Sequence, residues 1–555
     1  MNHTTEHNAS EIRPALFDAG VQVALLRRLW PRVLGQIDRD PDSPTHGSCD
    51  RHHWLYRLQD FESGVLHQAA WPLAVCAELI EEGVAFGFSA AYARTLATAI
   101  MQRTTIALKR HGGLLDEYYP GERSLPGTVF SAYATLKSAL LLRQDAILHA
   151  PGLERTATLL LRHRPTPAAN QDVAAAAFLG LYATHRRWHQ AEVADTIALL
   201  LQRSADQGRF DEYGGGDLGY ASVTLHYLAC MVADASHPCE TQLDHLASFL
   251  ADFVSPSGML GGEYAARSTT YFLPYGFLLA AYRQPRLAKI FGRLDISSSF
   301  NRLDDRYLLH YSLGSLVDTL RHLRRSPWVN ETRTTAESGW RIHDHRASGL
   351  LAMVRGESAL YLGLRKGLTW QLEHAGVTTI DCGYRIQRRN QTYATCVIDP
   401  ACHPEITMTP EQVTVSVISR FLAYRNLVMS PWKVVLLRLL GFLGPWLNGY
   451  FKKRLIKQAR PLAGPRLRRR LTLTLQDALL TVEDDIQGLA PDDRCVVAPP
   501  VSPRLVPSAR FHQPGEADAL LRRQTLSNTT RTRQLPLASQ EQASPLLDRP
   551  NLGEG

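Results

Sequence analysis

The chain lacks most of the marks that assign a protein at sight. Its eight cysteines (49, 76, 230, 239, 382, 396, 402 and 495) form no CxxC pair and no regular framework. That spacing argues against a zinc site or a disulfide scaffold and predicts buried free thiols, with no metal and no cofactor. No P-loop and no GxGxxG follows a strand pattern, so nucleotide binding is not expected. Nothing in the pattern calls for nucleic acid as a partner. No run of about 18 uncharged apolar residues exists, so no spanning helix is expected. The opening "MNHTTEHNASEIRPALFDAG" has no charged-then-apolar leader pattern, which predicts a cytoplasmic protein, peripheral on the inner membrane if membrane-bound at all. No strict internal repeat is visible.

What is present is a folded-protein composition over 555 residues, 45% hydrophobic and 21% charged, with a formal net charge of +8. That length predicts two or three domains. Residues 1–15 read as a flexible N-terminus. Between 16 and 325 apolar residues recur at three and four spacing in 63–82, 88–109, 127–148, 168–185, 189–204, 219–234, 240–254 and 308–324, broken by Gly, Pro and Asp clusters. Some ten helices in antiparallel hairpins predict an α/α toroid, an incomplete helical barrel. After residue 326 the period changes. "GLLAMVRGESALYLGLRKG", "VTTIDCGYRI", "QTYATCVID", "EQVTVSVISRF" and "RRRLTLTLQDALLTVEDDIQG" are short β-branched or aromatic runs between turns. They predict an antiparallel β-sandwich over 326–504, making the chain α+β and multidomain. The tail 505–555, rich in Ser, Arg, Gln and Pro, is expected to be disordered.

The sandwich pattern is interrupted over 426–470 by a basic, aromatic segment carrying Trp432, Trp446, Phe442, Lys433, Arg438, Lys452, Lys453, Arg454 and Lys457. Two readings stand side by side: residues 430–457 lie on an anionic membrane surface, or they form a helical excursion packed on the sandwich. Pro431 and Pro445 are expected to break up any long helix there.

Polar, glycine-rich patches punctuate the helical half: "DEYYPGERSLPG" (116–127), "PAANQDVAAAAF" (167–178), "DQGRFDEYGGGDLGY" (206–220) and "GGEYAARSTTYFLPYGF" (261–277). Loops on one face of a toroid surround a common cleft. The candidates there are Tyr118, Tyr119, Glu122, Asn170, Gln171, Glu212, Asp217, Tyr220, Glu263, Arg267 and Tyr275. Aromatic faces and hydrogen-bonding groups suit a sugar chain, and Arg267 suits a carboxylate or sulfate.

"ANQDVAAAAFLGLY" and "ADQGRFDEYGGGDLGY" resemble two segments of the heparinase II/III and alginate-lyase superfamily: the asparagine-bearing helix start and the segment with the catalytic tyrosine. The order of parts is similar over most of residues 60–500. Gln171 stands where that family often has His, and the glycine insert stretches the Glu-to-Tyr spacing. The resemblance implies a polysaccharide lyase in surface-polysaccharide metabolism, acting on an acidic polysaccharide or lipid-linked glycan. By it, Asn170 binds the uronate carboxylate, Tyr220 is the acid/base, and a sandwich histidine assists, with His374 favoured over His343 and His345. The residues alone leave other roles open. Asn170 also suits an N-cap, Tyr220 interhelical packing, Glu212 and Asp217 the ordering of a glycine loop, and Arg267 an internal ion pair. A uronate C5-epimerase, a hydrolase using Glu212 and Glu263, and a non-catalytic glycan-binding or assembly factor remain alternatives.

Overall fold

Capping and period fix the helices. In the computed structural model, which describes residues 15–49, 61–202, 210–328, 339–389, 391–424, 430–441, 461–502, 526 and 529–537, Ser89, Ser124 and Asp217 each cap a helix through a side-chain oxygen. The helices Ala70–Glu81, Ala90–Arg110, Leu125–Leu141, Ala169–Arg186, Gln190–Leu201, Leu218–Ala233, Glu240–Ala251 and Leu313–Arg325 fall on the eight periodic stretches of the sequence. Ala19–Leu34, Pro151–Leu160 and Pro274–Arg283 add to them. Six of these helices touch in succession: 70–81 on 125–141, then 169–186, 218–233, 274–283 and 313–325, the last of which returns to the first. Leu125–Leu141, Ala169–Arg186 and Leu218–Ala233 are buried around nearly their whole circumference, as interior helices must be. No helix among the described residues is long and apolar enough to cross a membrane.

Two antiparallel sheets follow. The first is β1 (Arg341–His345), β2 (Leu350–Arg355), β3 (Ser358–Gly363), β4 (Thr369–His374) and β5 (Val377–Asp381), in that order. The second contains β6 (Tyr384–Arg388), β7 (Gln391–Ala394), β8 (Glu405–Met408), β9 (Gln412–Tyr424), β10 (Pro461–Thr474), β11 (Leu479–Gln487), β12 (Arg494–Val497) and β13 (Thr530–Pro536). Its order is β12-β6-β7-β9-β10-β11-β13, with β8 also on β9, and it curls as a half-barrel. On β2 and β3, Leu350, Ala352, Ala359 and Tyr361 pack into the helical core, while Leu351, Met353, Leu360 and Leu362 pack against Val413, Val415, Leu471 and Leu480 of the second sheet. The centre of the first sheet, β2 to β4, is thus a middle layer buried on both faces, which is why "GLLAMV" and "ALYLGL" read as continuous apolar runs.

Three boundaries differ from the sequence expectation. β13 draws Thr530–Pro536, part of the tail expected to be disordered, into the second sheet beside β11. The interruption between β9 and β10 ends at Pro461, so "PLAGPRLRRR" is strand and not insertion. Pro431 opens a helix, Pro431–Gly441, instead of breaking one, because a first-turn proline forfeits no helical hydrogen bond. Of the expected flexible N-terminus 1–15 all but Ala15, which opens the short helix Ala15–Phe17, lies outside the described residues, as do residues 442–460 with Pro445 and Trp446 and most of 505–555.

Candidate functional site

The helices Leu125–Leu141, Ala169–Arg186, Leu218–Ala233 and Pro274–Arg283 begin at the four polar loops. The loops are stitched together. Ala168 and Glu212 form a β-bridge, and Asp217 accepts from the backbone amide of Arg267 at 2.8 Å. Three of the four loops, those before Ala169, Leu218 and Pro274, are thereby joined at one mouth.

The triple glycine belongs to this junction. Gly216 donates to the Ser348 carbonyl (2.8 Å) and accepts from the Ala266 amide (2.9 Å); a Cβ there would meet Leu350 Cδ1 at 2.8 Å. At Gly219 a Cβ would lie 2.2 Å from Thr269 Oγ1. These glycines let the loop press against the first sheet and the neighbouring loop, not against a ligand. Arg365 reinforces the seam by donating to the Gly214 carbonyl at 2.8 Å.

At the mouth, the Arg267 guanidinium lies 4.4 Å from the Tyr213 ring and 5.7 Å from the Tyr220 ring. Both tyrosines and Arg267 are half-buried. Among the described residues no carboxylate pairs with Arg267, and its buried Nε has no hydrogen-bond partner. Burial pushes the Tyr213 hydroxyl up, opposed by Arg267 and by Gln171. Tyr220 stands edge-on to Tyr271 (6.1 Å), whose hydroxyl meets that of Tyr311 at 3.1 Å. Tyr118, half-exposed, presents its ring 5.9 Å from Arg306. Its hydroxyl is pushed well above the usual phenol range by desolvation and then by Glu117, Tyr307 and Tyr220. Tyr119, also partly exposed, is raised to about 12 by burial and by Glu122 and Asp116.

Behind this face is a buried acid. Glu212 Oε1 accepts from Asn170 Nδ2 (2.6 Å) and from the Asn170 backbone amide (3.1 Å). Burial pushes the carboxyl up to about 8, against the Asn170 hydrogen bonds and the charge of Arg267. Asn170 is not the N-cap of its helix; Ala168 holds that position, and Glu212 serves the orphan amide from outside.

Asn170, Gln171, Glu212, Tyr220 and Arg267 thus gather at one junction, with Tyr118 near Tyr220 and Tyr119 beside Glu122 and Asp116 of its own loop. Other expected site residues are committed elsewhere. Glu122 accepts from the backbone amides of Glu117 (3.2 Å) and Tyr118 (2.7 Å), ordering its loop. Asp217 caps the helix behind it and takes the amide of Arg267, the amide of Thr269 and the Thr269 hydroxyl. Glu263, fully buried, accepts from the Ser502 amide, and Lys366 binds its carbonyl at 2.6 Å, so it joins helices to sheets. Tyr275 lies deep, 5.9 Å from His226. The three histidines expected to assist have partners of their own. His343 (3.1 Å) and His345 (2.9 Å) both clamp Asp252. His374 meets Ser358 Oγ at 2.8 Å at the start of β3, whereas the glycine loop abuts Leu350, which pairs with Gly363 at the far end of β3. Five residues of strand separate these ends, roughly 16 Å.

Tyr213, Tyr271, Tyr307, Tyr311 and Arg306 were not singled out in the sequence. Tyr213 and Tyr271 sit inside the quoted loops, while "DRYLLHYS" carries the others across a kink at His310. Below the mouth, His226, Cys230 and Asp318 bring ligand-type atoms within 4.8 Å of one another. Lys137 Nζ lies 3.6 Å from Cys230 Sγ and 3.5 Å from Asp234, already supplying positive charge there, so the group reads as an ion-paired polar core. A separate groove of about 300 Å³ lies between the sheets, lined by Trp370, Asp381, Arg531 and Arg533; its Arg533 is paired with Asp381. Comparison with known proteins finds no family model that matches the chain and no matching curated protein.

Proposed function

We propose that the chain is a polysaccharide lyase-like enzyme that cleaves an acidic, uronate-containing glycan by β-elimination. In this reading the helical part is an incomplete α/α toroid, the paired sheets are a β-sandwich, and the mouth between them is the active site. The observation that carries it is Arg267 held over the rings of Tyr213 and Tyr220 and ion-paired with no carboxylate among the described residues. A half-buried guanidinium with no ion-pair partner among the described residues suits an incoming carboxylate. The aromatic rings around it suit sugar faces. The resemblance of the two loop motifs to heparinase II/III-like lyases points the same way.

The C5 proton of a uronate is poorly acidic until its carboxylate is neutralised. Arg267 supplies that charge, and Glu212, neutral below its raised pKa, holds Asn170 and the loop behind it. Tyr220, acting as the base in its deprotonated form, takes the C5 proton. The electron pair forms the C4–C5 double bond, the C4–O bond breaks, and the leaving oxygen takes a proton from Tyr118 or from Tyr220 itself. No histidine is needed.

A C5-epimerase would use the same proton abstraction and return the proton to the opposite face. Incubation with a panel of uronate polymers in deuterium oxide separates the two. Elimination gives ultraviolet-absorbing unsaturated ends; epimerisation gives C5 deuterium without absorbance. A panel yielding neither contradicts both enzymatic readings and leaves glycan binding, measured by polymer retention on the protein.

A further inference from the structure

The helix Pro431–Gly441 falls in the chain between the two longest strands, β9 and β10. Every one of its side chains described is exposed: Trp432 at 80%, Leu439 at 63%, Leu436 at 54%, Val435 at 48% and Val434 at 42%, with Lys433 beside them. None of the described side chains of this helix is buried against the sheets. Trp432, Val435, Leu436 and Leu439 stand at i, i+3, i+4 and i+7, so they form one apolar stripe. A folded protein rarely leaves such a stripe bare without something to cover it.

Charge says what covers it. From Arg425 to Arg460 the sequence holds eight Lys or Arg and no Asp or Glu. A protein partner for an apolar stripe needs a matching apolar groove and gains little from so one-sided a charge. A bilayer needs no groove: it accepts the stripe among its acyl chains, takes tryptophan at the headgroup level, and attracts cations when its lipids are anionic.

We propose that the helix Pro431–Gly441 is a membrane-surface anchor that inserts Trp432, Val435, Leu436 and Leu439 into an anionic bilayer. The anchor lies in the plane of the membrane and does not span it. It holds the chain where lipid-linked or nascent glycans are found, and it stands whether or not the proposed elimination does.

The test is co-sedimentation of the full chain with vesicles of phosphatidylcholine and phosphatidylglycerol, beside vesicles of phosphatidylcholine alone. The expected result is binding to the anionic vesicles, weakened as salt rises because exposed charges are screened beyond about 8–10 Å. Leu436→Asp with Leu439→Asp should reduce binding at least about tenfold, and Lys433→Glu by a smaller factor, each with an unchanged melting temperature since these side chains touch no core. Equal binding to neutral vesicles, equal binding by the double variant, or no vesicle binding at all would overturn the proposal. So would a wild-type dimer that the double variant converts to monomer without any vesicle binding, which would assign the stripe to a second copy of the chain.

Discussion

In the proposed reaction Arg267 contacts the substrate and Glu212 supports the loop behind it, and each gives a different experimental signature. Arg267→Ala should lower kcat/KM by about 10²–10³-fold, with thermal unfolding little changed because no ion pair is lost. A lower melting temperature with kcat/KM intact would instead make Arg267 a packing residue. Glu212 has its folded pKa raised to about 8 from 4.5. Its sign is unfavourable: below 4.5 the stability is fully present, and it is lost as pH rises toward 8, where the unfolded chain ionises first. Glu212→Gln removes that loss, so the variant should gain on the wild type across this window, by at most about 5 kcal/mol at 1.36 kcal/mol per unit. Melting curves of the two proteins across that range check it. The sequence showed the right residue types in these loops, because tyrosines and acids beside glycines stand out. It could not show their partners. Glu122 and Asp217 carry the same carboxylate as a ligand-binding acid, yet backbone amides from their own and neighbouring loops consume it.

At the scale of elements, Asp217 joins a helix cap to the loop bearing Arg267, so Asp217→Ala removes one cap and strands three further donors. A loss of about 2–4 kcal/mol is expected in denaturant unfolding, with activity reduced as the Arg267 loop loosens. Helices such as Ala169–Arg186 were legible because a 3.6-residue apolar period survives burial. β9 and β11 were legible because they alternate over one apolar face, and β2 and β3 because two-sided burial makes their runs continuous. β13 was not. "TRTRQLP" has almost no apolar signal, and its place is decided by long-range contacts: Arg533 reaches the buried Asp381 and Asp484. His374 failed for a related reason. Its neighbours in sequence say nothing about which end of the sheet meets the helices.

Across the whole molecule, buried polar contacts tie the layers. Lys366 reaches Glu263, Ala265 and Ser268 on the helical side, and Arg469 bridges Asp381 on β5 to Asp484 on β11. Arg469 and Arg533 hold the Asp381 carboxyl well below its usual range despite burial. That stability is present above the unfolded value near 3.8 and lost as pH falls below it, so acid should part the two sheets. Arg469→Met leaves two buried acids with one cation and should cost about 3–5 kcal/mol at neutral pH, read by denaturant unfolding. These ties set the helical loops against the first sheet and so shape the mouth on which the proposed chemistry depends. Tyr220→Phe tests that chemistry most directly, with turnover on a cleaved uronate polymer and thermal unfolding measured on the same variant. The account predicts a loss of about 10²–10⁴-fold in kcat with the melting temperature nearly unchanged, because the ring that faces Tyr271 and Arg267 is kept and only the proton-carrying oxygen is gone. A Tyr220→Phe protein that cuts the polymer at the wild-type rate would contradict it.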